Sequence, residues 1–303
     1  MAEYEVVIIG GGPAGLTAGL YASRSGLRSL LLERGVLGGQ MVNARLVENY
    51  PGFPGGISGF DLGSAMHQQA IRYGLETRVT EVKRVVAGQT LGVVTSEGDC
   101  DAGSVIIATG SEYSKLGVPG EEKLVGRGVS YCATCDGFLF RDQEVAVVGG
   151  GDTAISDALE LSQHCKKVYV IHRRAQLRAS QVLQEQAFSQ PQIEFIWDTV
   201  VTEVLGDGQV DSLALRNVKT GEMSRLHVGG IFVAVGLKPN SRCFVDLLDL
   251  TEAGHIITDG EMGTSVKGIF AAGDIRHKSV RQISTAVGDG ATAAMSAFRY
   301  LRG

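Results

Sequence analysis

The sequence of 303 residues contains only five cysteines and one tryptophan. Five is an odd number, and only Cys132 and Cys135 are closely spaced, so the disulfide framework of a secreted protein is not expected. No run of lysine or arginine resembles a nucleic-acid footprint, and the net charge is −5, so we expect no nucleic-acid partner. The histidines form no catalytic grouping with serine and aspartate.

Long apolar runs are absent as well. The first nine residues lead directly into a glycine motif, without a basic region or a cleavage site. We therefore expect no signal peptide, no membrane span and a cytoplasmic location. Glycine, in contrast, is in excess, with 42 residues and no low-complexity tract to account for them. This excess predicts many backbone positions with close approach or positive φ.

The first part of the chain reads as strand, glycine turn, helix and strand. An apolar run over 4–9 precedes the turn at 10–15, a helical stretch covers 16–24, and a second apolar run covers 29–32. This order predicts a βαβ unit with a parallel sheet. A tail strand at 269–272 and a helix at about 283–301 follow much later.

Each glycine of the first turn, Gly10-x-Gly12-x-x-Gly15, has a mechanical reason. Gly10 permits the tight turn, Gly12 lets the backbone approach a pyrophosphate, and Gly15 lets the helix pack closely on the strand. Glu33, at the end of the second strand, would accept hydrogen bonds from ribose hydroxyls. The motif predicts a dinucleotide site; the alternative is a structural glycine-rich turn.

The same pattern occurs a second time, which indicates an internal duplication. The second copy has its strand at 144–148, its turn at 149–154, its helix at 155–163 and its next strand at 167–171. Gly149, Gly151 and Ala154 occupy the three turn positions. Buried strands at 105–110 and 231–236 each close one copy. The sequence thus predicts an α/β protein with two Rossmann-like dinucleotide-binding domains.

The two copies differ at the end of their second strands. Glu33 follows Gly15 by 18 residues, and His172 follows Ala154 by the same distance. The second copy carries a basic cluster there: His172, Arg173, Arg174 and Arg178. An acid suits a free 2′-hydroxyl, whereas arginines suit a 2′-phosphate. We expect FAD or NAD in the first site and NADPH in the second; the alternative for the cluster is a solvated strand end.

A third motif reads Cys-Ala-Thr-Cys-Asp-Gly over 132–137. Such a pair binds zinc or cycles between dithiol and disulfide. The other cysteines are scattered, so we expect no metal site and favour a redox pair at Cys132 and Cys135. Asp136 is positioned to shuttle protons during thiol exchange, or it is simply a turn-forming Asp-Gly. A flavin-loaded binding or sensor protein with a structural zinc is the alternative from another class.

Together, two nucleotide motifs and this cysteine motif resemble the low-molecular-weight thioredoxin reductases over essentially the whole chain. Further matching segments lie at 38–40, 48–52, 108–110, 127–130, 172–178, 273–274 and 281–282. One departure is Ser156-Asp157, where the family has two glutamates on the first helical turn. A ferredoxin-fed reductase or an oxygen-using dithiol oxidase would lack the second glycine motif and its arginines.

The resemblance implies a discontinuous FAD domain at 1–114 and 245–303, with an NADPH domain carrying the cysteine pair inserted at 115–244. The implied FAD residues are Gly10, Gly12, Pro13, Ala14, Gly15, Glu33, Arg34, Gly39, Gln40, Asn49, Ala108, Thr109, Gly110, Gly273, Asp274, Arg281 and Gln282. The implied NADPH residues are Gly149, Gly151, Asp152, Thr153, Ala154, His172, Arg173, Arg174 and Arg178.

The resemblance also implies a reaction. Electrons would pass from NADPH through FAD to the disulfide of Cys132 and Cys135, and then to thioredoxin or a thioredoxin-like protein. Cys135 would face the flavin, Asp136 would protonate the leaving thiolate, and Cys132 would attack the partner. The inserted domain would rotate on its linkers, and a homodimer would form through the FAD domains.

Overall fold

A computed structural model describes residues 2–44 and 46–303, and it divides the chain into two compact units. The first unit comprises the chain up to Glu112 and from Lys238 onward, and the second comprises Tyr113–Leu237. The resemblance implies a return to the FAD domain at 245. In the structure, Asn240 already hydrogen-bonds to Thr109 and Gly110 within the first unit.

The described chain forms seventeen strands: β1 (Tyr4–Ile9), β2 (Ser29–Glu33), β3 (Glu76–Val79), β4 (Val82–Val86), β5 (Leu91–Thr95), β6 (Cys100–Ile107), β7 (Ser111–Tyr113), β8 (Val129–Ser130), β9 (Glu144–Gly149), β10 (Lys167–Ile171), β11 (Ile193–Ile196), β12 (Thr199–Leu205), β13 (Ser212–Asn217), β14 (Met223–His227), β15 (Gly230–Ala234), β16 (Leu237–Pro239) and β17 (Ile269–Ala271). Its α-helices are α1 (Pro13–Arg24), α2 (Gly59–Ile71), α3 (Ala133–Asp136), α4 (Asp152–Leu161), α5 (Gln181–Phe188) and α6 (Ile283–Arg302).

The first unit is built on a seven-stranded sheet in the order β3-β2-β1-β6-β5-β4, with β17 also beside β6. Strands β3, β2, β1, β6 and β17 are parallel, and Ile107 lies opposite both Ile9 and Ala271. The carboxyl ends of β1, β6 and β17 therefore share one edge. That edge is where ligands bind in sheets of this kind.

Helices α1 and α6 pack closely within the first unit, because small residues line their contact. A side chain at Gly290 would lie 2.2 Å from the carbonyl oxygen of Ala14. On α6, Ala293, Ala294 and Ala297 are buried against the core. Through this contact, α6 lies against the first turn of α1, directly after the glycine turn.

The second unit is built on a five-stranded parallel sheet in the order β11-β10-β9-β15-β8. Strand β9 is central, with Val145 and Val147 buried on one face and Ala146 on the other, as expected for a strand covered on both faces. Strands β12, β13 and β14 form a separate antiparallel sheet in this unit. Trp197, the single tryptophan, is partly buried and stacks on Phe195.

No helix in the described chain is long and apolar enough to cross a membrane.

Candidate functional site

The first glycine turn is shaped by backbone contacts that exclude side chains. Gly10 has φ +108°, and a Cβ there would lie 2.4 Å from the carbonyl oxygen of Ala108. A Cβ at Gly15 would lie 1.8 Å from the carbonyl oxygen of Gly10. At Gly12 the nearest atom would be the Cα of Gly39, at 3.9 Å. The turn is therefore closed on its protein side and open above Gly12, at the start of α1.

Glu33 is fixed beside this turn. One carboxylate oxygen accepts a hydrogen bond of 2.7 Å from the Gly11 N–H, and the other accepts one of 2.8 Å from the Gly35 N–H. Each oxygen retains a lone pair that can accept from a hydroxyl group. Arg34, next in the chain, is exposed and pairs with Glu112.

Asp274 lies at the same edge of the sheet, after β17. Its Oδ1 is buried without a hydrogen bond, although the Lys278 ammonium lies 3.4 Å away, within ion-pair range. Burial raises the pKa of Asp274, and the charges of Lys278 and Arg281 oppose that rise. A buried acceptor that lacks a hydrogen bond is costly, so it indicates a position where a ligand donates. The N–H of the adjacent Gly273 donates to Asp289 over 3.0 Å.

Asn49 and Gln282, far apart in sequence, meet in the first unit. The Asn49 amide donates to Gln282 Oε1 over 3.1 Å. Gln282 is also the N-cap of α6 and forms a capping box with Thr285. Arg281 contacts His255 at 3.2 Å, and its Nε is buried without a hydrogen bond. These contacts hold the start of α6 in place.

The ring of a histidine packs against the second glycine turn on its protein side. A Cβ at Gly150 would lie 2.3 Å from the ring of His172, which is 6% exposed. Its Nε2 is 3.0 Å from the carbonyl oxygen of Gln176. Burial lowers the pKa of His172, so its ring is mostly neutral at pH 7. By contrast, no atom lies within 4 Å of a Cβ built at Gly151, which leaves space above the turn.

The arginines of the basic cluster face solvent. Arg173, Arg174 and Arg178 are all exposed. Within residues 2–44 and 46–303, none of the three forms a salt bridge. Three unpaired guanidinium groups on one short loop form an anion-binding surface with forked donors.

Cys132 and Cys135 form a disulfide with an S–S distance of 2.02 Å at α3. Behind it, the Ser130 hydroxyl donates to Asp136 Oδ2 over 2.6 Å and accepts from the Cys132 N–H over 3.1 Å. Burial raises the pKa of Asp136, and the hydrogen bond from Ser130 lowers it. A carboxyl group with a raised pKa next to a disulfide can supply or accept a proton. Ser130 was noted in the sequence only as part of the matching segment 127–130.

Two further carboxylates lie near the cysteine pair. Glu160 accepts a hydrogen bond of 2.8 Å from the hydroxyl of Thr134. Burial, and then the charge of Glu160, raise the pKa of Asp157 to about 7. The departure at Ser156-Asp157 thus keeps one carboxyl group, in a largely desolvated position. In the described chain, no cluster of three or more metal-ligating side chains is present.

Comparison with known proteins places this geometry in a family. The model of the pyridine nucleotide-disulphide oxidoreductases matches residues 4–290. The chain belongs to this family. It is 49% identical over 300 residues to a thioredoxin reductase of Listeria innocua, covering 98% of this chain and 94% of that protein. It is 46% identical to one of Bacillus subtilis, with 98% and 95% covered.

Among solved structures, a thioredoxin reductase from Streptococcus pyogenes aligns with a TM-score of 0.95 at 48% identity, covering 99% of this chain and 98% of that one. These findings confirm the resemblance read from the motifs and the fold class of two Rossmann-like domains. They do not test the individual site residues, which stay predictions.

Proposed function

We propose that the protein is a thioredoxin-disulfide reductase, driven by NADPH through bound FAD. The observation that carries the proposal is the disulfide between Cys132 and Cys135 in a chain with two glycine turns whose strand ends differ in charge. The acid Glu33 marks the first turn, and the exposed arginines mark the second. A disulfide beside the half-buried Asp136 supplies the chemistry that such an enzyme needs.

The residues of the first unit fit FAD. The space above Gly12, at the start of α1, admits a pyrophosphate, and Glu33 can accept from the adenosine ribose. Asp274 Oδ1, buried without a hydrogen bond, can accept from a further hydroxyl. Gln282 caps the start of α6 in the same unit, and Asn49 hydrogen-bonds to it. When bound, FAD supplies the two-electron carrier between the nicotinamide and the disulfide.

The residues of the second unit fit NADPH. The turn at Gly151 is open at the start of α4, where helix N–H groups attract phosphate. Arg173, Arg174 and Arg178 offer charge-assisted hydrogen bonds to a 2′-phosphate. A ferredoxin-fed enzyme would have no use for this basic loop.

Two electrons and two protons convert the disulfide to the Cys132 and Cys135 thiols. One thiolate then attacks the disulfide of thioredoxin and displaces a thiolate, which gives a mixed disulfide. The remaining thiolate of the pair attacks that bond, restores the Cys132–Cys135 disulfide and releases reduced thioredoxin. Asp136 donates a proton to a leaving thiolate and takes it back when the pair is reoxidised, with Ser130 holding the carboxyl group in position.

We also propose a cytoplasmic homodimer assembled through the first unit. Apolar side chains on that unit are exposed, notably Phe60, Ile71 and Tyr73, which suits a surface that a second copy covers. Cys100, Cys165 and Cys243 remain free thiols, which suits a reducing compartment. Light scattering at micromolar concentration should give the mass of two chains; the mass of one chain would exclude the dimer.

Steady-state kinetics test the activity. NADPH oxidation should depend on oxidised thioredoxin, and Cys132→Ser and Cys135→Ser should each abolish that dependence. Cys243→Ser is the matched control, since Cys243 lies in the first unit outside the disulfide, and it should keep the wild-type rate. Full turnover in either variant of the pair would exclude the dithiol route.

A further inference from the structure

We propose that Asp152 is a positioning residue that sets the preference for NADPH by holding the arginine loop against the glycine turn, without contacting the dinucleotide itself. This inference rests on the proposed function and assigns to Asp152 a role different from the direct cofactor contact expected from its place in the motif. The loop in question comprises residues 173–180, between β10 and α5.

The carboxylate of Asp152 is already engaged by that loop. Its Oδ1 accepts a hydrogen bond of 2.7 Å from the N–H of Ser180, the N-cap residue of α5. Asp152 is itself the first residue of α4, so this single contact joins the beginnings of two helices. A carboxylate that accepts from a backbone N–H makes a strong, directional bond.

Two further hydrogen bonds tie the loop to the same turn. The N–H groups of Arg178 and Ala179 both donate to the carbonyl oxygen of Gly150, over 2.7 and 3.2 Å. His172 lies beneath Gly150 and reaches the carbonyl oxygen of Gln176 on the loop. The second half of the loop, from residue 176 to residue 180, is thus anchored to the glycine turn, while the three arginine side chains extend into solvent.

Charge argues against direct contact between Asp152 and the cofactor. A carboxylate at the start of α4 lies where the pyrophosphate would bind, and two like charges repel at short range. The acid is tolerated because the helix dipole and the Ser180 N–H stabilise it. Electrostatics alone therefore predicts that removal of this charge strengthens dinucleotide binding, whereas a positioning role predicts that loss of the acceptor weakens binding of the 2′-phosphate.

Calorimetric titration of the purified protein with 2′,5′-ADP and with 5′-AMP separates these cases, because only the first ligand carries the 2′-phosphate. Asp152→Ala should weaken 2′,5′-ADP about tenfold or more, equivalent to ~1.4 kcal/mol or above, and leave 5′-AMP within about twofold. Asp152→Asn keeps an oxygen acceptor for the Ser180 N–H, and it should restore most of the lost affinity. Glu185→Ala, which removes an exposed carboxylate from α5, is the charge-matched control and should change neither ligand.

Three results would overturn the proposal. One is unchanged or tighter binding of 2′,5′-ADP to Asp152→Ala, and another is an equal loss for both ligands, which would place Asp152 at the shared part of the nucleotide. The third is a wild-type protein that does not prefer 2′,5′-ADP. The thioredoxin assay is independent of this titration: a protein that fails to reduce thioredoxin yet shows the predicted pattern would refute the proposed reaction and support the role of Asp152.

Discussion

The hydroxyl group of Ser130 lies 2.6 Å from Oδ2 of Asp136 and donates a hydrogen bond to it, while its oxygen accepts from the N–H of Cys132. Ser130 ends the short strand β8, so the sheet fixes the position of the hydroxyl group. One side chain thus links the backbone at the first cysteine to the carboxyl group after the second. Asp136 is half-buried, and this hydrogen bond is the interaction that favours its charged form.

Removal of this hydroxyl group should therefore change the pH dependence of thioredoxin reduction. Burial already raises the pKa of Asp136, and Ser130 opposes the rise, so Ser130→Ala should raise that pKa further. If Asp136 acts as the acid, the rate falls as the pH rises through its pKa. The falling limb of kcat should then move to higher pH in Ser130→Ala. Ser130→Thr keeps a hydroxyl group, so the falling limb of its kcat should stay at the wild-type pH. A falling limb at the same pH in all three proteins would show that Ser130 does not set the pKa of Asp136.

Asp157 should make the protein less stable as the pH rises. Burial and the charge of Glu160 raise its pKa from an ordinary 3.8 to about 7 in the folded chain, so the folded state holds a proton that the unfolded state releases between these values. The contribution of this proton to the free energy of unfolding is fully present below about pH 4. It is lost as the pH rises toward 7, by roughly 4 kcal/mol at most. Asp157→Asn should remove this decline, so that the variant exceeds the wild type at pH 8 and matches it near pH 4. Denaturant unfolding at both pH values measures this difference in stability, with the variant Asp207→Asn at an exposed position as control. If the stability of wild type and Asp157→Asn changed in parallel with pH, the assignment would be contradicted.

Substitution of both Arg173 and Arg174 by alanine should remove the preference for NADPH. Hydrogen bonds to charged groups contribute ~1.5–3 kcal/mol each, so two of them favour NADPH by roughly two orders of magnitude or more, less some screening at an exposed loop. The KM for NADPH should rise accordingly and that for NADH should stay nearly constant. Arg216→Ala with Arg225→Ala removes the same charge from exposed positions on strands β13 and β14 and should leave both constants unchanged. Wild-type protein that uses both donors with equal efficiency would contradict the role of the arginines.

Much of the fold follows from local pattern, because buried parallel strands read as continuous apolar runs. The strands at 4–9 and 167–171 have the predicted bounds. Helix α1 begins at Pro13, three residues before the predicted helical stretch, because proline at the first helical position loses no hydrogen bond. The hydrogen bonds between Asn240 and Thr109 join residues 131 apart in the chain, so the spacing of motifs could not indicate them.

The contacts around the candidate sites could not be read from spacing. The bond between Asp152 and Ser180 joins two helices across 28 residues, and the bond between Asn49 and Gln282 spans 233 residues. The resemblance implied a cofactor contact for Asp152 from its place in the glycine motif, and its hydrogen bond to the Ser180 N–H was not visible in that motif. Which partner a carboxylate selects depends on the three-dimensional course of the loops, which no local pattern encodes.

Thiol titration of the denatured protein tests the central claim most directly. The oxidised protein holds one disulfide and three free cysteines, so it should show three reactive thiols. After one equivalent of NADPH under anaerobic conditions the count should rise to five, and addition of oxidised thioredoxin should return it to three while two thiols appear on thioredoxin. A count that stays at three after NADPH, in protein that contains FAD, would contradict electron transfer to Cys132 and Cys135.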